Sequence, residues 1–516
     1  MPSTMELGRS MRRAVFLGVV AISLVATAAE KHSHPAPERL GTVTFATSCA
    51  PGVARDFQRA VALLHSFAYD SAQKAFLDIA AEDPACAMAH WGAAMSNWHQ
   101  LWAPPDADEL SAGRAEIERA RQLDVRSERE RQFIAAAAAY FQDSGQTPHP
   151  VRAKAYEEGM RLAARSNPND TETQVFYALA LLATASPEDR THANQKQAAS
   201  ILEPVYRDHP DHPGAAHYLI HAYDSNELAQ RGVAAARAYS KIAPSAPHAL
   251  HMPSHIFTRL GLWDDSIASN IAARAASRTQ GDVGEELHAM DYLTYAYIQR
   301  GRQNDAQQVV ASLKQMGTLG GNDFKVGYAA TAMPIRLAME GHKWSDAAAL
   351  EPLPGLLPNI ASLVYWARAV GKARGGHPKD ADDDIAQLRK CQQQLQAAGS
   401  AYWARQSEIL TREAVAWQAA AGSRVDEAIK TLRDAADEED AVEKLPLTPG
   451  PIIPAREQLG DLLLTLEQPQ QALKEYQSAL VGAPGRRGAL AGAVQAADQV
   501  GDVQLAGRLR ATLLKD

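Results

Sequence analysis

From about Val53 to the C-terminus, apolar positions recur every three or four residues and polar residues fill the breaks between the resulting runs. That period predicts a succession of amphipathic α-helices separated by Pro, Gly and Asp. Several breaks share a spelling: Glu82-Asp83-Pro84, Asn167-Pro168, Asp208-His209-Pro210 and Ile242-Ala243-Pro244. The last two prolines are 34 residues apart. Alanine-rich stretches such as AAAAAYF favour helix over sheet, and no long Val/Ile/Tyr alternation predicts a strand. The expected class is all-α.

The same pattern divides the chain. Residues 29–52 are polar and contain proline, with no helical period, and form a leader. One helical array is expected over 53–345, an irregular helical-pair region over 346–422 where the spacing drifts, and a second array over 423–516.

Thirty-four residues is the period of the tetratricopeptide (TPR) repeat, a helix–turn–helix unit. Its pattern puts small residues at positions 8 and 20, an aromatic near 24, alanine at 27 and proline at 32. The C-terminal unit shows it best, with Leu459-Gly460 at 7 and 8, Ala472, Tyr476, Ala479 and Pro484. The first unit offers Ala60, Ala72, Phe76 and Pro84 in the corresponding seats. Small side chains let paired helices approach, the aromatic fills the wider gap, and proline cannot continue the second helix. The expected fold is a TPR-like helical-hairpin solenoid.

Against that frame one chemistry-bearing pattern stands out. Eight of the 17 histidines fall between 209 and 288. Two His-x-x-x-His pairs, His217/His221 and His251/His255, are separated by 34 residues, one repeat. With Pro213 and Pro247 as position 1, both pairs occupy positions 5 and 9, on the concave, ligand-facing side of such repeats. His248 falls at position 2 of the second repeat and Asp224 at position 12 of the first. Matching Arg300-Gly301 to Leu260-Gly261 sets an offset of 40 for the next repeat. His288, Asp291 and Tyr295 then take positions 2, 5 and 9. Residues i and i+4 share a helix face, and packed helices lie roughly 8–10 Å apart. Imidazoles from adjacent repeats could therefore share an ion. Imidazole with carboxylate suits Zn, Cu, Fe or Ni better than Ca or Mg. His217, His221, His251 and His255 are the expected ligands, with His248, His288, Asp224, Asp291 and Tyr295 around them. Two other readings stay open: a metal-free groove for a peptide or cell-envelope protein, and packing or capping roles. Pro253 lies between His251 and His255, so the helix must kink or begin there; if it begins there, that pair loses its i,i+4 geometry.

Other chemistry is thin. No Gly-rich phosphate loop, GxSxG elbow, HExxH or CxxC occurs, so no catalytic residue is assigned. A metal-dependent hydrolysis would need a carboxylate base, for which Asp224, Asp291 and Glu285 or Glu286 are the nearby candidates. A formal charge of −8 and the absence of a basic block argue against a nucleic-acid partner.

The N-terminus reads as an export signal: Arg9, Arg12 and Arg13 precede an apolar run from Ala14 to Ala29, with Ala26-Thr27-Ala28 as a small-residue cleavage site. An uncleaved anchor is the alternative, although the run is short for a span of roughly 20 residues. With residues 1–28 removed, the protein is expected to be periplasmic or extracellular and not integral to the membrane. An oxidising compartment would let Cys49 and Cys86 pair across the first hairpin; the alternative is two small buried thiols. Cys391 is left alone.

The stretches LLHSFAYDSAQKAF, DPACAMAHWGAAMS, HPGAAHYLIHAYD, IAPSAPHALHMPSHIFTRLGLW, ELHAMDYLTYAYIQ and LTPGPIIPARE together resemble a family of exported bacterial TPR proteins. The resemblance implies a solenoid outside the cytoplasm with the His-rich wall as a family feature. It supplies no catalytic residues. Relatives usually carry tyrosine where this chain has His90, which counts against His90 as a ligand.

Overall fold

The computed structural model describes residues 38–101 and 104–515, so the expected signal peptide at 1–28 and the start of the leader lie outside the described residues. Among the described residues the chain is all-helical, with 25 α-helices and no strand. Consecutive helices pack against each other from Ala54–His65 to Val503–Lys515. Local chemistry sets many of the boundaries. Pro213, Pro247, Pro253, Pro358 and Pro469 open helices, where the missing N–H costs nothing. Asp106, Asp170, Asp282 and Asp323 cap others through side-chain oxygens, Asp106 within a capping box with Glu109. No described helix is long and apolar enough to cross a membrane.

Close packing uses small residues, among them the pattern's seat at Gly460 and also Gly92, which the pattern did not single out. A methyl group on Gly92 would lie 2.4 Å from the Phe76 ring, and one on Gly460 2.7 Å from Tyr476. Helix lengths vary widely in the second half of the chain. Trp344–Ala348 is a single short turn of helix, and Ala401–Ala421 runs for 21 residues. At the acidic start of Asp382–Ala397, Asp384 is buried between Arg368 at 2.9 Å and Lys372 at 2.6 Å.

Two segments without helix tie distant hairpins together. In the leader, Phe45 is buried against Phe57, Trp91, Phe133 and Phe176, with ring centroids 5.3–6.4 Å apart. Thr42 donates its N–H to the Asp211 carbonyl at 3.0 Å. Cys49 and Cys86 are joined in a disulfide at the start of Ala87–Met95. The second segment, residues 442–454, links Val425–Asp440 to Ala455–Thr465. Glu443 pairs with Arg259 at 2.8 Å and Arg190 at 3.0 Å, and Lys444 with Asp224 at 3.4 Å. Farther on, the Gly450 and Ile452 carbonyls accept from the buried Arg336 and Arg486 at 3.1 and 3.2 Å. Arg486 also reaches Glu457 at 2.6 Å and Glu340 at 3.0 Å.

Beside this second segment, Glu439 accepts the Ala455 N–H at 2.8 Å, satisfying the first donor of the next helix. Burial pushes its carboxyl up to about 7. Between the ordinary carboxylate range and pH 7, the folded chain therefore keeps a proton that the unfolded chain has lost, and stability falls as pH rises through that window. Glu439→Gln keeps the acceptor and removes the titration. Its unfolding free energy from denaturant titration should match wild type near pH 4 and exceed it at pH 8, by on the order of 3 kcal/mol. Parallel curves for the two proteins across that range would contradict the assignment.

Candidate metal centre

His217 and His221 stand one turn apart on Pro213–Tyr223, and their Nε2 atoms are 3.1 Å apart. The helix is set by Pro213 at its first position and by His212, whose Nδ1 accepts the Ala215 N–H at 3.1 Å. At the second pair, the expected conflict at Pro253 is resolved in an unexpected way. The helix is interrupted, with Pro247–His251 ending and Pro253–Arg259 beginning around Met252. Met252 nevertheless keeps helical torsions, φ −52° and ψ −35°. Only the hydrogen-bond ladder is cut, so His251 and His255 still face each other with Nε2 atoms 3.0 Å apart.

A third imidazole joins each pair from a later helix, His248 on Pro247–His251 and His288 on Val283–Gln299. His217, His221 and His248 form one group and His251, His255 and His288 another, each with ligand atoms within 4.8 Å of one another. The second group is the first shifted along the chain by 34, 34 and 40 residues. Five ring pairs within the groups have centroids 4.3–6.3 Å apart. Across the groups, His221 to His255 is 6.0 Å and His248 to His251 is 6.1 Å. The six rings are one cluster.

Hydrogen bonds on the far side of the rings orient four of them. Nδ1–H of His217 donates to the His65 carbonyl at 2.6 Å, and Nδ1–H of His255 to Asp224 at 2.9 Å. His248 donates through Nδ1 to Glu285 at 3.3 Å. His251 donates through Nδ1 to the Asn270 amide oxygen at 2.7 Å, whose identity is settled by its own NH2 donating to the Ser266 carbonyl at 2.8 Å. These partners assign the tautomers. For neutral rings, each of these Nε2 atoms then carries a lone pair. His221 differs, since its Nδ1 is buried without a hydrogen-bond partner.

The electrostatics favour the neutral form of five rings. Burial lowers the imidazole pKa values of His217, His221, His251 and His288 well below the ordinary value, and neighbouring imidazoles add to the effect. His255 is also lowered by burial, against the pull of Asp224. The carboxylates stay ionised. Burial raises Asp224, but Lys444, Arg259 and His255 outweigh it and hold it well below the carboxylate range. Glu285 is held low in the same way by Lys325 and His248. Arg259 donates to Asp224 at 2.8 Å, and Lys325 to Glu285.

An aromatic ring lies against each group. Phe67 sits 4.4, 5.8 and 5.4 Å from the His217, His221 and His248 rings. Tyr292 sits 4.7, 5.0 and 5.3 Å from those of His251, His255 and His288. Phe67 has a left-handed backbone, φ 54°, a strained state for an aromatic residue. The way in is at His221. A chamber of about 240 Å³ is lined by His221 and Asp224 together with Gln100, Gln195, His192 and Lys444. A larger cavity of about 420 Å³ contains none of the six imidazoles in its wall.

The expected open wall is thus corrected: His217 is 0% exposed, His221 9% and His251 0%. Phe67 and the rings' own packing close it, and Lys444 of the 442–454 segment reaches Asp224 above it. His248 and His288, expected beside the ligands, sit with them. Asp224 lies behind His255, as an orienting acceptor. Asp291 is not at the cluster but pairs with buried Arg336 at 2.9 Å. Tyr295 accepts from Arg486 at 3.3 Å and lines the larger cavity. The interrupted helix shifts nothing here; the successive seats of one helix face simply diverge, and His288 and Tyr292 point one way while Asp291 and Tyr295 point another. Sequence reasoning did not find Asn270, Phe67 or Tyr292, which carry no motif. His65 is packed in the first hairpin, and His212 caps the His217 helix. They also share Glu172, at 2.8 and 3.0 Å, and every ring nitrogen of that trio has a hydrogen-bond partner. That trio is a strut behind His217.

No protein-family model matches the chain, and no curated protein matches it in sequence.

Partners of metal-ligating imidazoles are worth 10–100-fold in metal affinity. Asn270→Ala should therefore weaken metal binding at the second group by about that factor while far-UV circular dichroism stays unchanged. Asn270→Asp, which still accepts from His251, should retain most of the affinity. Competition against a chromophoric chelator measures both, and equal affinities for wild type and Asn270→Ala would refute the orienting role.

Proposed function

We propose that this protein is an exported, TPR-like helical solenoid whose function is to bind transition metal through the six-imidazole cluster. One observation carries the reading. His251 and His255 both donate through Nδ1 to fixed acceptors, so their Nε2 lone pairs meet at 3.0 Å with no hydrogen between them. Two lone pairs at that distance repel, and burial disfavours the proton that would bridge them. A cation resolves the conflict. Nitrogens 3.0 Å apart, each about 2.0–2.1 Å from an ion, subtend an angle of about 95° at it, which fits an ion with a further imidazole and an open position. His288 supplies the third ligand at the second group. At the first, His217, His221 and His248 again offer three imidazoles, with the His221 tautomer not fixed by a partner at Nδ1.

Export agrees with the Arg-then-apolar N-terminus and with a disulfide between Cys49 and Cys86, which persists in oxidising compartments. The TPR-like repeat agrees with the packing of consecutive helices through small seats at Gly92 and Gly460. The metal is drawn from Zn, Cu, Fe and Ni, the ions that imidazole suits. The peptide-groove alternative has less room than the sequence promised, because the imidazoles are buried and the chain's own 442–454 segment lies over Asp224.

Protein produced through an export route without a histidine tag should carry transition metal near or above one equivalent per chain by elemental analysis. His217→Ala/His251→Ala, with one ligand removed from each group, should lose at least nine-tenths of it. Metal content that is substoichiometric and unchanged in the double variant would sink the reading.

A further inference from the structure

The two imidazole groups are neighbours, related by one repeat, and this sets what they could do together. We propose that they form one dinuclear copper centre, three imidazoles to each ion, that binds dioxygen between the ions. The proposal rests on the metal-binding reading and goes beyond it in metal number, metal identity and ligand.

Adjacency comes first. Distances between rings of different groups, 6.0 Å for His221–His255 and 6.1 Å for His248–His251, lie inside the 4.3–6.3 Å range found within groups. Two ions held by such groups would be neighbours, and two-metal sites with ions about 3.5–4 Å apart are those in which one small ligand touches both.

Charge then selects the metal. Each group offers three imidazole nitrogens, and no carboxylate belongs to either. The nearest acids are engaged behind the rings: Asp224 with His255, Arg259 and Lys444, and Glu285 with His248 and Lys325. Two divalent ions would place four positive charges in a buried site whose acids already have cationic partners, which is costly. Two monovalent ions halve that charge. Among the metals imidazole binds, copper alone has an accessible monovalent state, and its divalent state binds nitrogen sites most tightly.

Dioxygen follows from the same balance. Two Cu(I) ions each give one electron to bound dioxygen and become Cu(II), and dioxygen is reduced by two electrons to the peroxide level. Its two negative charges offset the two positive charges the metals gain, and no proton or further reductant is needed. The chamber at His221 supplies access, and His221 is the ring whose Nδ1 has no fixed acceptor, so it is the ligand able to turn as the oxidation state changes. Tyr292 adds a second sign of a missing polar partner, since its ring packs on the second group and its hydroxyl is buried with no hydrogen bond.

The test loads the full-length mature chain, stripped by chelation, with Cu(I) under argon and then admits air. Two copper ions per chain should bind. Oxygen uptake should reach one O2 per two copper ions, and the oxygenated protein should be silent in electron paramagnetic resonance because the two Cu(II) spins couple. His288→Ala should hold one copper that gives a full isolated Cu(II) signal on chemical oxidation. His248→Ala should do the same from the other group, which covers the case in which one variant fails to fold. Two ions with two isolated signals, or two ions with no oxygen uptake, overturn the dinuclear proposal and leave the metal-binding reading standing. One ion per chain overturns it as well. A chain that binds no copper, zinc, iron or nickel overturns both.

Discussion

An imidazole has two nitrogens, and the centre depends on what holds the one that faces away. Wherever a buried histidine donates through Nδ1 to a carbonyl, amide oxygen or carboxylate, its Nε2 is left as a directed lone pair. Four of the six rings are fixed so, by His65, Asp224, Asn270 and Glu285. None of these acceptors lies on the helix of the ring that it holds. The tautomers are thus a property of the tertiary fold, and a small shift between hairpins would scramble them. Losing one such acceptor leaves a buried donor unsatisfied, a penalty of about 1–3 kcal/mol.

This explains how far the supports extend. The His65 carbonyl that holds His217 belongs to the first hairpin. The His65 ring is in turn tied to Glu172 and Tyr218, and Glu172 to His212 at the head of the His217 helix. Leaving Gly214 without a side chain lets that helix approach, since a methyl group there would lie 2.7 Å from the His65 ring. The leader fastens the same hairpins from outside through Phe45 and the Cys49–Cys86 disulfide. On the other side, Asp224 is shared by His255, Arg259 and Lys444, which brings the 442–454 segment and the C-terminal helices into the same network.

What the sequence made legible follows from this division. Helical period and proline breaks revealed the all-α class, because both are local. The 34-residue offset brought out His217, His221, His251 and His255, and repeat numbering added His248 and His288. Repeat numbering failed where position stops implying contact. It grouped Asp291 with His288, but three residues along a helix is a rotation toward Arg336. It implied an open wall, because burial by Phe67 and by a segment more than 200 residues away leaves no periodic mark. Asn270 was invisible for the same reason: an asparagine on a second helix gains meaning only from the ring that it meets.

Pro253 shows how a sequence-level objection can be correct in its premise and wrong in its consequence. Proline did end the hydrogen-bonded helix, since it has no N–H to donate and crowds the preceding turn. What the i,i+4 relation needs, however, is torsions, and Met252 keeps helical ones. The break also relaxes the ladder beside His251, where Met252 still bonds back to His248 at 2.9 Å while His255 bonds only to Met252 at 3.1 Å. His251 and His255 come 3.0 Å apart across this break, against 3.1 Å for His217 and His221 in their unbroken helix. Two backbones thus reach one side-chain geometry. It is the packing around the rings, through Asn270, Asp224 and Tyr292, that sets the second pair.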